Sequence, residues 1–144
     1  MRHENYYFTS LGNSVVFDTD MVEHLNELLQ TKKIGDISFV LAENNSIVSD
    51  ALEQKYYSGI TGLSSLYDQI TSQGEHSEEV WQNYYHQFLI LSRCLNDKIK
   101  ELKQGLKCLS IDLPRINGQI YNRHWNVLST IYSDLIYRNS ISVN

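Results

Sequence analysis

The stretch FVLAENNSIVSDAL, which runs from Phe39 to Leu52, decides the fold class because it carries the signals of a strand, a turn and a helix in direct succession. Its first residues complete a short apolar run, ISFVL, of the kind found in strands that are covered on both faces. The polar residues ENNS that follow favour a turn and a helix N-cap. The stretch therefore predicts a buried strand that ends in a polar turn and leads into a helix.

A strand and a helix are predicted on the N-terminal side of this stretch. The segment NYYFTSL, from Asn5 to Leu11, is aromatic and β-prone, and GNS after it favours a turn. Apolar residues then recur on one helical face, and Asp20 with Glu23 has the form of a capping box, so we predict a helix from about 20 to 33. Strand, helix and strand in this order form a βαβ unit, which makes the sheet parallel here.

The C-terminal side adds further helices and one more strand. Two short helices are predicted after the turn, and then a long one whose apolar stripe consists of Trp81, Tyr84, Phe88, Leu91, Leu95, Ile99, Leu102 and Leu106. The segment Arg115 to Asn122 alternates as a half-buried strand does, and a last helix is predicted from about His124 to Tyr137. We therefore predict one α/β domain over residues 1–144, a small three-layer unit with a short, mostly parallel sheet of about 3–4 strands and about five helices.

Composition narrows the classes of function. The 144 residues include 42% hydrophobic and 20% charged residues, which is ordinary for a globular domain. The net charge of -5 and the pI near 5.4 give no field that would attract nucleic acid. No apolar run has the length of a signal peptide or of a membrane span, so we expect a cytoplasmic location without membrane insertion.

Polar residues follow the predicted strands at the edge where ligands of parallel sheets bind. The candidate binding residues at the three strand ends are Asn13, Glu43, Asn44, Asn45, Ser46, Arg123 and His124. A small anion at the turn after Leu41 is physically reasonable, because the backbone N–H groups of the next helix point towards it. The same residues are also ordinary turn and N-cap residues, and both interpretations stay open.

The sequence carries no pattern that specifies catalysis or a cofactor. The motifs GxGxxG, GxxxxGK[ST] and GxSxG are absent, which argues against dinucleotide, P-loop and hydrolase-elbow sites. None of the five histidines pairs with another at i, i+4, and neither of the two cysteines has a metal-ligand spacing. We therefore predict no catalytic residue, no metal site and no cofactor, and two reduced thiols.

Three segments resemble the β-class carbonic anhydrases. FTSLGN, from Phe8 to Asn13, resembles the strand and turn that read roughly VVRNAGN in that family. ISFVLAENNSIVSDAL resembles its strand, zinc-ligand turn and helix, VVxGHxxCGAxxAAL, and INGQIYNRHWNVL resembles its HGWxYDxxxGxL segment. The resemblance runs from Phe8 to Leu128 and implies an α/β fold.

The chain departs from that family at the zinc ligands. The HxxC ligand pair falls on Glu43 and Ser46, and the family's CxDxR segment would fall at or before Met1. Neither Glu43 nor Ser46 supplies an imidazole or a thiolate. Without zinc, nothing lowers the pKa of a water towards about 7 for attack on carbon dioxide. The resemblance thus implies a degenerate, zinc-free relative, a pseudoenzyme.

Three functional hypotheses follow from these observations. The first is a non-catalytic, carbonic-anhydrase-like cytosolic protein that acts as a binding or regulatory partner, with the long apolar helix stripe favouring a homodimer. The second is a small-molecule enzyme of unknown class that uses Glu43 with His124 or Arg123 at the strand ends. The third is an unrelated interaction module that meets another protein through a tyrosine-rich surface, since the chain has ten tyrosines.

Overall fold

The computed structural model describes residues 4–53, 56–75, 83–109, 112–132 and 135–142. The helices are a short 3-10 turn (Leu11–Asn13), α1 (Thr19–Lys32), α2 (Ser46–Glu53), α3 (Ser64–Glu75) and α4 (Asn83–Lys107). The strands are β1 (Asp36–Ala42), β2 (Arg115–Asn122), β3 (Val127–Tyr132) and β4 (Leu135–Ser142), and they form one sheet in the order β1-β2-β3-β4. The α/β class is therefore confirmed.

The stretch that decides the fold class forms the predicted elements. β1 ends at Ala42, a turn follows, and α2 begins at Ser46. The predicted first helix is α1, although its N-cap is Asp18, whose Oδ1 accepts a hydrogen bond from Met21 N at 2.8 Å, rather than Asp20. The long helix is also confirmed over its described part, α4. The first residue of its predicted apolar stripe, Trp81, lies outside the described residues.

The prediction of a mostly parallel sheet is wrong. β1 and β2 are parallel, but β2 pairs with β3 and β3 with β4 in antiparallel register. The last helix, predicted from about His124 to Tyr137, is instead the β2–β3 turn followed by β3 and β4, so the described part of the chain has four α-helices rather than five. The apolar spacing there fits a helix, but β2 has a free side that a hairpin can pair. Asn126 supplies the turn with φ 51, which asparagine tolerates better than most residues.

The predicted first strand, from Asn5 to Leu11, is not a strand of this sheet. Residues 4–10 have no regular structure, and Leu11–Asn13 forms the 3-10 turn. Among the described residues, no backbone hydrogen bond joins 4–10 to β1. A segment with strand propensity forms a strand only when a neighbouring strand pairs and packs with it. The aromatic pattern alone is therefore not sufficient.

The prediction of three layers is wrong because the core lies on one face of the sheet. α4 packs across β1 and β2, and α1 packs on α4. The sheet residues that belong to the core share one face, namely Ile37, Phe39, Leu41, Ile116, Ile120 and Ile131. Val40, on the opposite face, is 44% exposed. The described residues thus form two layers, with the helices on one side.

Close approach between elements fixes α4 in place. A Cβ on Gly118 of β2 would lie 3.1 Å from Leu95 Cβ of α4, and a Cβ on Gly105 of α4 would lie 2.8 Å from Val22 Cγ2 of α1. Glycine at these two positions lets the backbones approach. The apolar stripe of α4 is buried from Leu91 to Leu106, as predicted. None of the described helices combines the length and the apolar character that a bilayer span requires.

Candidate functional site

The β1–α2 turn places its polar residues in different surroundings. Glu43 is 3% exposed, its backbone N–H donates to Tyr121 O at 2.8 Å, and its Oε2 accepts a hydrogen bond from Asn122 Nδ2. Asn45 Oδ1 accepts hydrogen bonds from Ile47 N at 3.0 Å and Val48 N at 3.3 Å, so this side chain caps α2. Asn44 and Ser46 are exposed. The turn therefore holds a buried carboxylate beside a helix cap.

The β2–β3 turn lies next to Glu43 because β1 and β2 are parallel and end together. Asn122 Oδ1 accepts a hydrogen bond from Trp125 N at 2.9 Å, and Tyr121 Oη donates to Asn126 Oδ1 at 3.0 Å. The Asn122 side chain thus bonds to Glu43 through its amide nitrogen and to Trp125 through its oxygen. The backbone of the turn is connected in this way to the buried end of β1.

The tip of this turn presents three side chains to solvent. Arg123 and His124 are exposed, and Trp125 is 71% exposed. The rings of His124 and Trp125 meet edge to face, with 4.7 Å between their centroids. Arg123 and His124 were predicted at this strand end, and Trp125 fell within the last predicted helix, from about His124 to Tyr137. That assignment is wrong, because Trp125 belongs to the turn.

Asn13, the first candidate, lies in the 3-10 turn with φ 57. That turn contacts both β1 and α2, so the structure brings it near the turn that follows β1. The atom Asn13 Nδ2 is buried and has no hydrogen-bond partner among the residues that the structure describes. The candidate residues of the first two strand ends therefore do gather at one end of β1. Glu43, which the enzyme hypothesis pairs with His124 or Arg123, is buried, whereas both of those residues lie on the exposed tip.

A second buried carboxylate was missed by the sequence reasoning. Asp50 of α2 accepts hydrogen bonds from Tyr67 Oη at 2.5 Å, Tyr56 N at 3.0 Å and Tyr57 N at 3.1 Å. Burial alone would raise the pKa of Asp50, but these hydrogen bonds outweigh it and lower the pKa below its ordinary value. Burial, followed by the hydrogen bond to Asp50, raises the pKa of Tyr67 to about 12. The pair fixes the segment that follows α2 against α3.

Replacing Tyr67 by phenylalanine is expected to lower stability in a pH-dependent way. The low pKa of Asp50 contributes stability above its ordinary value of 3.8, and this contribution is lost as the pH falls through the folded pKa. The raised pKa of Tyr67 contributes stability below 10.0, which is lost as the pH rises towards about 12. The difference between wild type and Tyr67→Phe should therefore be largest between these limits and shrink at both ends.

Urea unfolding at a series of pH values measures this profile. Tyr57→Phe is the matched control. Tyr57 donates a hydrogen bond to Asp50 from its backbone N–H, and its side chain is 47% exposed. The difference in unfolding free energy between wild type and this control should show no maximum between those pH limits. A stability difference for Tyr67→Phe that is the same at every pH would contradict the assignment.

Metal-binding groups are sparse in the described residues. No cluster of three or more His, Cys, Asp or Glu side chains there has the arrangement of a metal site. Both cysteines are free; Cys94 is buried, and burial raises its pKa to about 12, whereas Cys108 is exposed. A thiol with so high a pKa stays protonated at neutral pH and is a poor nucleophile.

Comparison with protein-family models, curated proteins and solved structures finds no match for this chain. The site is therefore interpreted from its own geometry. That geometry consists of a buried carboxylate, an amide that bridges two turns, and an exposed turn that carries a cation and two aromatic rings.

Proposed function

We propose that this chain is a non-catalytic, cytoplasmic binding protein that recognises a protein partner through the recognition turn, Arg123–Trp125. The observation that carries the proposal is the double hydrogen bonding of Asn122, to Glu43 Oε2 and from Trp125 N. This connection anchors the backbone beneath an exposed tryptophan to a buried group at the end of β1. The buried carboxylate then has a structural role, which is to orient the turn.

The composition of the recognition turn suits protein binding. Tryptophan and arginine are the residue types most enriched at binding hot spots, and Trp125 is 71% exposed. A turn whose backbone is already fixed loses little conformational entropy on binding. Arg123 places a positive charge at the tip of the recognition turn, although the net charge of the chain is -5. These features favour a partner with an acidic rim around an apolar pocket that accepts Trp125.

Side chains at the strand ends already form hydrogen bonds within the protein, and this supports a non-catalytic role. Glu43 lies inside the protein with an oxygen bound to Asn122, and the Asn45 side chain is occupied as the cap of α2. In the resemblance to β-class carbonic anhydrases, Glu43 and Ser46 take the positions of two zinc ligands. We propose that the chain is such a relative without zinc, and that the strand ends serve to build a binding surface.

Capture of a partner from an extract of the native cell tests the recognition turn. Immobilised wild type should retain a protein that Trp125→Ala fails to retain. Tyr56→Ala is the matched control, because the Tyr56 side chain is 76% exposed and its hydrogen bond to Asp50 comes from the backbone N–H, which alanine keeps. The control should retain the same protein as wild type. Equal retention by Trp125→Ala would contradict the proposal.

Two measurements test the absence of catalysis independently. Metal analysis of the purified protein should find no stoichiometric zinc, and a carbon dioxide hydration assay should find no turnover. Stoichiometric zinc together with turnover would contradict the proposal. Turnover of any small molecule that Glu43→Gln abolishes, with an unchanged melting temperature, would favour the alternative enzyme that uses Glu43 and His124.

A further inference from the structure

The N-terminal segment, Asn5–Leu11, has the sequence of a strand but lies outside the sheet. Its large apolar side chains face solvent: Tyr6 is 45%, Tyr7 86%, Phe8 72% and Leu11 53% exposed. Four exposed apolar residues in seven positions are more than isolated surface hydrophobics, which need no explanation. The segment therefore has a surface that a neighbour can cover.

The two ends of the segment lie beside the two ends of β1. Glu4, Asn5 and Tyr6 line one groove together with residues 32–36, which lead into the start of β1. At the other end, the 3-10 turn Leu11–Asn13 contacts β1, and a Cβ on Gly12 would lie 3.2 Å from Ile47 Cγ2 at the beginning of α2. The ends of the segment thus follow the same order as the ends of β1, so the segment and β1 run in the same direction.

β1 offers a free edge. Gly35 O accepts from Arg115 N and Glu43 N donates to Tyr121 O, both at 2.8 Å, so the odd-numbered residues of this stretch direct their backbone groups to β2. The even-numbered residues, Ser38 and Val40 among them, direct theirs to the opposite edge. Both residues are exposed, and no other described strand pairs at that edge. Such an edge is a template for another strand.

Opposite charges lie together in the groove at the N-terminal end of the segment. Glu4 lies in the same groove as Lys32 and Lys33, and Lys32 Nζ lies 6.0 Å from the centre of the Tyr6 ring. Tyr6 Oη donates to Glu4 Oε2 at 2.7 Å, which gathers the acidic group and the ring in one place. Glu4, which directly precedes the segment, can meet the same two lysines on another copy of the chain.

A sharp hinge separates the segment from the fixed part of the chain. Gly12 and Asn13 both have φ 57, and two successive left-handed residues turn the chain back. Immediately after the hinge, Val15 O accepts from Lys98 Nζ at 2.5 Å and Phe17 N donates to Glu101 Oε1 at 2.9 Å, which fixes the chain to α4. Exchange of a segment about such a hinge is a low-cost route to a dimer.

We propose that Asn5–Leu11 of one protomer pairs as a strand, parallel to β1, on the free edge of β1 of a second protomer, and that the exchange is reciprocal. Pairing forms the backbone hydrogen bonds that residues 4–10 lack with their own β1. The resulting homodimer uses a different surface from the recognition turn, so either proposal can fail without the other.

Sedimentation velocity over a range of concentrations tests the exchange. Wild type should show a monomer–dimer equilibrium. Thr9→Pro removes a backbone donor from the segment, and Val40→Pro removes one that points away from β2. Each should raise the dimer Kd by about tenfold or more. Thr9→Ser is the control, and its Kd should equal that of wild type. Circular dichroism shows whether each variant is folded.

Two further variants separate exchange from other modes of association. A mixture of Thr9→Pro and Val40→Pro should form a heterodimer, because one copy supplies an intact segment and the other an intact edge. Gly12→Ala should increase the dimer fraction, since an alanine strains the folded-back hinge and its Cβ would lie 3.1 Å from Leu66 Cδ2. A wild type that stays monomeric, or a dimer that Thr9→Pro leaves intact, would overturn the proposal.

Discussion

Replacing Leu95 by alanine is expected to lower the free energy of unfolding by about 2–5 kcal/mol. Leu95 is 0% exposed and lies at the closest contact between α4 and the sheet, where a Cβ on Gly118 would be 3.1 Å from Leu95 Cβ. The truncation removes apolar contacts and leaves a cavity. Because α4 is packed against the sheet, it cannot shift far enough to close that cavity. Denaturant unfolding, with the slope m compared between variants, measures the loss.

Leu28→Ala is the matched control for this variant, because the same atoms are removed from a residue of α1 that is 38% exposed. Its loss of unfolding free energy should be smaller, by at least about 1 kcal/mol. Equal losses for the two variants would show that α4 does not pack on β2 as described.

Replacing Gly118 by valine is expected to lower the free energy of unfolding by about 1–3 kcal/mol. A Cβ at this position would lie 3.0 Å from Ile131 Cγ1 and 3.1 Å from Ile131 Cδ1, with Leu95 on its other side. Loss of a glycine from a strand favours folding by about 0.5–1 kcal/mol, which the overpacking exceeds. Denaturant unfolding again measures the difference.

Gly35→Val is the control, because nothing lies within 4 Å of a Cβ at Gly35. Its effect should stay within about 0.5 kcal/mol. The combined variant Gly118→Val with Ile131→Ala should lose less than the sum of the two single losses, since alanine at position 131 makes room for the valine. Additive losses would contradict the contact between β2 and β3.

The elements that the sequence predicts well are those whose signals are local. α1 and α4 have one apolar face, and the turn between β1 and α2 has its cap in Asn45. The β3–β4 hairpin was mistaken for a helix because Trp125, Leu128 and Ile131 recur at helical spacing. Its strand character depends on pairing with β2, where Gly118 opposes Ile131, and no local pattern contains that register.

The candidate site was predicted in position but not in its connections. Glu43 and Asn45 were placed correctly at the end of β1. The bond between Glu43 and Asn122 joins residues 79 positions apart, and it follows from the parallel register of two strands whose crossover contains three helices. Asp50 was missed because its partner Tyr67 lies on the next helix, α3. Long-range pairing of this kind gives no signal in a single sequence.

Amide hydrogen exchange at Trp125 tests the central claim most directly, which is that Glu43 orients the recognition turn through Asn122. The Trp125 amide should be protected in wild type and in Glu43→Gln, whose oxygen still accepts from Asn122. In Glu43→Leu it should exchange about 2–10-fold faster, the range that one net hydrogen bond gives. The Ile120 amide in the middle of β2 reports any global loss of stability in the same spectra. Unchanged protection of Trp125 in Glu43→Leu, with Ile120 equally unchanged, would contradict the claim.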